Sequence, residues 1–151
     1  MPTVGEPAPE FTLNDQDGNP VSLSDYSGKT VVLYFYPKDD TPGCTKEACG
    51  FRDEFATFQN QDIVILGVSP DDSKSHRKFV DKYSLPFTLL ADVEKKVCEA
   101  YGVWQEKNMY GKKSWGVVRT TVIIGKDGQI VKIFPKVRVD GHIAKVIEAI
   151  G

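Results

Sequence analysis

The sequence predicts an α/β fold in which helices flank a mixed central sheet on both sides, with a β-hairpin at the N-terminus. Two unbroken apolar runs, 30–36 and 63–69, are typical of strands buried on both faces of a sheet. Helical spacing of apolar residues follows each run, and strands that alternate with helices imply a partly parallel sheet. The length suits one domain over residues 1–151, and no repeat or linker divides the sequence.

The other elements are predicted from turn signals and periodicity. Asp17–Gly18 marks the turn of the N-terminal hairpin. A helix is expected from about 42 to 59, because apolar residues recur there every three or four positions. The later elements are a loop at 24–28, a helix over 73–83, a strand at 87–90, a helix over 95–101, strands 120–124 and 129–134 paired as a hairpin, and a last helix capped by Asp140.

The composition of the chain indicates which partners and which cellular location to expect. The net charge is -2 and the basic residues are scattered, which disfavours nucleic acid or an anionic membrane as a partner. The N-terminus lacks the basic and apolar regions of a signal peptide, and no apolar run reaches the roughly 18 residues of a membrane span. We therefore expect a cytoplasmic protein. Three cysteines, an odd number without a secretion signal, argue against a structural disulfide framework.

Cys44 is the residue at which chemistry is expected. It lies in the first turn of a helix that begins near Pro42, beyond the end of the first core strand, where ligands usually bind in α/β sheets. Backbone N–H groups in a first turn lack intrahelical partners and carry partial positive charge, so they favour a thiolate. Gly43 leaves room for a small substrate, and the Thr41 hydroxyl is placed to hydrogen-bond the sulfur or a bound oxygen.

Cys49 follows Cys44 by five positions. On an intact helix this spacing gives a Cα–Cα separation of about 8.6 Å, and a disulfide needs less than roughly 7 Å. A bond between the two cysteines therefore requires the first turns of the helix to unwind. A zinc site fits the sequence poorly, because the Cys-x4-Cys pair has no second pair nearby and His76 and His142 stand alone.

The run Pro37-x-x-x-Thr41-x-x-Cys44 resembles the active-site pattern of peroxiredoxins. The longer segment 35–49 resembles the bacterioferritin comigratory protein subfamily, also called peroxiredoxin Q, and the likeness extends from 5–11 to the last helix. The resemblance implies a thioredoxin-like fold and a monomeric, cofactor-free thiol peroxidase. It would reduce hydrogen peroxide and organic hydroperoxides in antioxidant defence, forming a sulfenic acid on Cys44.

The resemblance also implies roles for other residues. Thr41 would position the peroxide, and Pro37 would shield the site from water. Arg119 stands just before a core strand, as the family's arginine does, and would stabilise the thiolate and polarise the O–O bond. Cys49 would resolve the sulfenic acid as a disulfide that thioredoxin reduces. Some members of the subfamily instead use a cysteine on a later helix, which would give this role to Cys98, but with Cys49 present Cys98 is interpreted as a semi-buried bystander.

Two other functions would use the same cysteines. A thioredoxin-like disulfide oxidoreductase would carry Cys-x-x-Cys, and it would have a proline where this chain has Arg119–Thr120. A redox sensor or adaptor would use the disulfide to alter the binding of a partner. Thr41 together with Arg119 serves peroxide reduction and is not needed for signalling, so the peroxidase is favoured.

Overall fold

The computed structural model describes residues 2–150, apart from the Met109 side chain. Its strands are β1 (Thr12–Asn14), β2 (Pro20–Ser22), β3 (Thr30–Phe35), β4 (Ile63–Ser69), β5 (Thr88–Ala91), β6 (Trp104–Met109), β7 (Lys112–Val117), β8 (Thr120–Ile124) and β9 (Ile130–Phe134). Its helices are α1 (Pro42–Asp53), α2 (Phe55–Asn60), α3 (Ser73–Tyr83), α4 (Lys96–Ala100) and α5 (His142–Ile150).

A mixed seven-stranded sheet in the order β2-β1-β5-β4-β3-β8-β9 forms the centre of the fold. Strands β3, β4 and β5 are parallel, and β8 runs antiparallel to β3. The N-terminal hairpin pairs β1 with β2 and joins the sheet through β5. The predicted α/β fold is confirmed, with helices on both sides of a mixed sheet.

Strand β3 is buried on both faces, as its apolar run predicted. Val32 and Tyr34 face one core cluster, which includes Phe51 of α1 and Val146 of α5. Val31, Leu33 and Phe35 face the other cluster, which includes Phe11, Val97 and Tyr101. Because alternate side chains of a strand point to opposite faces, the sheet needs cover on both sides. The end of β3 is thereby held rigidly inside the molecule.

The structure corrects several predicted elements. The helix expected over 42–59 is broken at Glu54, whose backbone (φ −104°, ψ 11°) separates α1 from α2. The segment expected as a loop at 24–28 begins within a 3₁₀ turn, Leu23–Tyr26. The last helix begins at His142, so Asp140 does not cap it; its carboxylate pairs with Lys46 instead.

The sequence also gave no indication of the hairpin formed by β6 and β7. This two-stranded sheet, which we call the arm, is separate from the main sheet. Its turn is formed by Tyr110 (φ 54°) and Gly111 (φ 78°), both in the left-handed region that tight hairpin turns require. The arm was missed because most of its side chains are polar, which leaves little apolar alternation to detect.

Within residues 2–150, no helix combines the length and apolar character needed to cross a lipid bilayer.

Candidate active site

The chain turns from strand β3 into helix α1 at the carboxyl end of the parallel strands. Thr41 is the N-cap of α1 and has an extended backbone (φ −97°, ψ 156°), as expected of a residue before proline. Pro42 occupies the first helical position, where its missing N–H costs nothing. Cys44 follows in the first turn and is buried, with 1% of its surface exposed. The predicted position of Cys44 in the first turn is therefore observed.

Arg119 reaches Cys44 from the other side of the site. Its Nη2 donates a hydrogen bond to Cys44 Sγ at 3.3 Å. The register of the sheet explains this approach, since Thr120 pairs with Phe35 and so puts Arg119 beside the end of β3. A guanidinium donor next to a sulfur stabilises the thiolate relative to the thiol. The geometry therefore suits a nucleophilic sulfur.

Glu47 is a third member of the site and was not predicted from the sequence. Arg119 Nη1 donates to Glu47 Oε1 at 2.7 Å, so one guanidinium bridges the sulfur and the carboxylate. Glu47 is fully buried, and this burial raises its pKa to about 7 against the opposing effect of Arg119. Its spacing of three from Cys44 places both residues on one helix face, a signal that could have identified it.

His142 approaches the site from α5 without supplying a charge. Its Nε2 lies 2.8 Å from the Thr121 hydroxyl oxygen and 4.0 Å from Glu47 Oε2. Burial, together with the positive charges of Lys145 and Arg119, lowers the pKa of His142 to about 4. The imidazole is therefore neutral near neutral pH. The charge of an ionised Glu47 is balanced by Arg119 alone among these residues.

The smaller residues around Cys44 differ in part from their predicted arrangement. The Thr41 hydroxyl donates to the Lys38 carbonyl at 2.9 Å and has no hydrogen bond to the sulfur. A Cβ at Gly43 would lie 3.1 Å from Arg119 Nη2, so the missing side chain makes room for the guanidinium. Pro37 is half-buried at the start of the loop that leads to α1.

A buried hydrogen-bond network holds this loop. Asp39 accepts from the Tyr36 hydroxyl at 2.6 Å, and its other oxygen lies 2.7 Å from His76 Nδ1. His76 Nε2 lies 2.9 Å from the Leu90 carbonyl, which only accepts, so Nε2 carries a proton. Asp71 accepts from the Asp39 backbone N–H at 2.8 Å. The possible ligand atoms of Asp39, Asp71 and His76 are close together, but their hydrogen bonds favour a role as a loop anchor.

The other two cysteines have different surroundings. Cys49 is half-buried and unbonded, in a groove between α1 and α5 that Ile143 and Asp140 help to line. Helix α1 runs unbroken past both Cys44 and Cys49, so the helical separation of about 8.6 Å applies to their Cα atoms. Cys98 is fully buried rather than semi-buried as expected, and burial with the neighbouring Asp92 raises the pKa of its thiol far above the ordinary value. Such a thiol is a poor nucleophile, which favours its interpretation as a bystander.

Lys107 adds a second basic group near the site, from the arm. Its side chain is half-buried and crosses Gly116, where an added Cβ would lie 3.4 Å from Cε and Nζ. Burial and the nearby charge of Arg119 lower the pKa of Lys107, while Cys44 opposes that change. Lys107 was not predicted as a site residue, because the arm that carries it was not predicted.

A buried sulfur at a helix N-terminus, under an arginine and at the edge of a mixed sheet, defines the class of thioredoxin-like thiol enzymes. Comparison with known proteins identifies the family within this class. The AhpC/TSA family matches residues 4–133. A putative peroxiredoxin bcp of Coxiella burnetii is 55% identical over 144 residues, which are 95% of each chain. The peroxiredoxin Bcp of Bacillus subtilis is 48% identical over 147 residues, 97% of this chain and 94% of the relative.

Solved structures agree with these relatives. The bacterioferritin comigratory protein of Xanthomonas campestris, studied for its alkyl peroxide reduction activity, is 40% identical with a TM-score of 0.88. The match covers 92% of this chain and 88% of that one. A cysteine-to-serine variant of Xylella fastidiosa PrxQ has a TM-score of 0.94 at 34% identity, over 99% and 96% of the chains. The chain belongs to the AhpC/TSA family and is, like its Bcp relatives, a thiol-dependent peroxidase.

Proposed function

We propose that the chain reduces hydrogen peroxide and organic hydroperoxides with Cys44 as the attacking sulfur. The observation that supports this assignment most strongly is the hydrogen bond of 3.3 Å from Arg119 to Cys44 Sγ in the first turn of α1. The thiolate attacks the terminal peroxide oxygen, the O–O bond breaks, and the leaving alkoxide or hydroxide takes a proton. The products are an alcohol or water and a sulfenic acid on Cys44.

Arg119 acts on both the Cys44 thiolate and the peroxide in this step. Its guanidinium stabilises the thiolate before attack and polarises the O–O bond as negative charge develops on the leaving oxygen. Thr41 positions the peroxide once its hydroxyl turns from the Lys38 carbonyl towards the site, and Pro37 limits the access of water. Gly43 contributes by leaving the space that Arg119 fills.

Cys49 then completes the cycle. After α1 unwinds, the Cys49 thiolate attacks the sulfenic sulfur, which releases hydroxide (protonated to water) and leaves a Cys44–Cys49 disulfide. A thioredoxin-type dithiol reduces this disulfide by exchange and is itself oxidised. The half-buried position of Cys49 and the helical spacing of the two cysteines support this order, in which unwinding precedes disulfide formation.

The same proposal includes the wider setting. We infer a monomer in the cytoplasm, built as one domain over 1–151, with no resident cofactor and no nucleic-acid or membrane partner. The subfamily resemblance and the net charge of -2 support these inferences. Sedimentation of the reduced chain as a larger assembly would contradict the monomer.

Thioredoxin-coupled turnover of the Cys49→Ser variant tests the resolving role. NADPH oxidation is followed with thioredoxin, its reductase and either hydrogen peroxide or an organic hydroperoxide. Wild type is expected to turn over continuously. Cys49→Ser should oxidise once on Cys44 and then lose most of its turnover, because no nearby thiol forms the disulfide.

The matched control is Cys98→Ala, which should retain wild-type turnover per folded molecule. Full turnover by Cys49→Ser would assign resolution to Cys98 or to an external thiol. Absence of peroxide-dependent turnover in wild type would contradict the peroxidase itself and favour the sensor or the disulfide oxidoreductase.

A further inference from the structure

Glu47 lies on α1 between the two cysteines, inside the segment that must unwind. Its side chain is 0% exposed, and only Oε1 has a hydrogen-bond donor, Arg119. Oε2 has no hydrogen-bond partner among the described residues. Burying a carboxylate oxygen without a donor costs free energy, because the oxygen loses the hydrogen bonds that water would supply. The intact helix therefore holds Glu47 in surroundings that favour its neutral, protonated form.

The basic groups around Glu47 compensate its charge only in part. Arg119, from the segment before β8, divides its donors between Glu47 and Cys44. His142, from α5, lies 4.0 Å from Oε2 but is neutral near neutral pH, because burial and Lys145 lower its pKa. The unpaired oxygen thus faces no full positive charge of its own.

The remaining titratable groups near Glu47 supply no positive charge to compensate it. Tyr34, from β3, is fully buried, and its hydroxyl also lacks a partner among the described residues. Burial raises the pKa of Tyr34, and the charge of Glu47 raises it further. Cys44, one turn before Glu47, accepts a hydrogen bond from the other terminal nitrogen of Arg119. These surroundings agree with a Glu47 pKa of about 7 in the folded site.

We propose that Glu47 is a positioning residue that couples release of its proton to the unwinding of α1, so that Cys49 reaches oxidised Cys44 more readily as pH rises. The inference rests on the proposed function, which assigns that unwinding to the resolving step. Unwinding exposes Glu47 to water, where the carboxyl ionises and its proton passes to solvent. The proton is separate from the water formed when the sulfenic acid and the thiol condense.

The direction of the pH dependence follows from the two proton affinities. The intact helix binds the Glu47 proton with a pKa of about 7, and an exposed glutamate has the ordinary value of 4.5. The extra stability of the intact helix is therefore fully present below pH 4.5 and is lost as pH rises through about 7. Each pH unit in this interval changes the unwinding equilibrium by up to tenfold, so the whole change is on the order of a hundredfold.

Hydrogen exchange of the backbone amides in 45–49, the first of which donates to the Thr41 carbonyl at 2.8 Å, measures this unwinding directly. In the reduced wild type, the opening equilibrium, corrected for intrinsic exchange, is expected to rise about a hundredfold between pH 4.5 and 8. In Glu47→Gln it should change by less than about threefold, because the amide keeps an acceptor for Arg119 but does not titrate. Amides of the buried strand β4 serve as the internal reference.

Glu54→Gln is the matched control, since it removes an exposed carboxyl at the end of the same helix and should keep the wild-type pH dependence. A flat profile in wild type, or an unchanged profile in Glu47→Gln, would overturn the proposal. If Glu47→Gln does not fold, NMR titration of the Glu47 carboxyl in the native chain decides: a midpoint near pH 7 supports the proposal, and one near 4.5 overturns it. Neither measurement uses peroxide, so failure of the peroxidase assay remains a separate result.

Discussion

Cys44→Ser is expected to lower peroxide turnover by at least about a thousandfold, as removal of an attacking nucleophile does in other covalent mechanisms. Serine keeps the size and position of the side chain, but its hydroxyl does not form the reactive anion near neutral pH. Turnover is measured by NADPH oxidation with thioredoxin and its reductase. The expected residual rate equals that of the coupling system without the peroxidase.

Thermal unfolding of Cys44→Ser alongside wild type shows whether the variant is folded, since Cys44 is buried beside Arg119. A comparable midpoint with absent turnover would identify lost chemistry. Substantial turnover in a folded Cys44→Ser would remove Cys44 from the attacking role and direct attention to Cys49.

Arg119→Met is expected to slow oxidation of Cys44 by about a hundredfold to a thousandfold, the usual effect of losing one donor to developing charge. Methionine fills a similar volume but provides neither the donor to the sulfur nor the partner of Glu47. Single-turnover oxidation of the reduced protein by hydrogen peroxide, followed by tryptophan fluorescence, isolates this step from later reduction. Alkylation of Cys44 at neutral pH should slow as well, because the thiolate loses its neighbouring cation.

Arg119→Lys is the matched comparison. It keeps a positive charge but lacks the planar guanidinium that bridges the sulfur and the carboxylate. Its rate is expected to lie between those of wild type and Arg119→Met. Equal rates for wild type and a folded Arg119→Met would show that Arg119 does not act on the reacting atoms.

The fold was predictable from sequence where one physical signal dominated. The continuous β-branched and aromatic run of β3 is typical of a strand that is covered on both faces. Val32 and Leu33 indeed face opposite core clusters. The break at Glu54 was not predictable, because the apolar spacing continues through it into Phe55 and Phe58. Periodicity reports which residues are buried, and it is insensitive to a short kink between two helices.

The site was predictable only where the signal was local. The first-turn position of Cys44 follows from Thr41 and Pro42, which together mark a helix start. Arg119 was assigned by resemblance, since it approaches through the pairing of β8 with β3, a contact between segments far apart in the chain. Glu47 was missed although its spacing from Cys44 indicates a shared face, because spacing alone does not show that the face is buried. Lys107 could not be predicted as a site residue, because it lies on the arm, whose polar strands show little apolar alternation.

Mapping the disulfide formed after one equivalent of hydrogen peroxide tests the central claim most directly. Trypsin cleaves after Lys38, Lys46 and Arg52, which places Cys44 in peptide 39–46 and Cys49 in peptide 47–52. Cys98 falls in a third peptide, 97–107. Mass spectrometry under non-reducing conditions is expected to find 39–46 joined to 47–52, with 97–107 unlinked. A bond from 39–46 to 97–107, or no bond at 39–46 in a protein that still consumes peroxide, would contradict attack by Cys44 and resolution by Cys49.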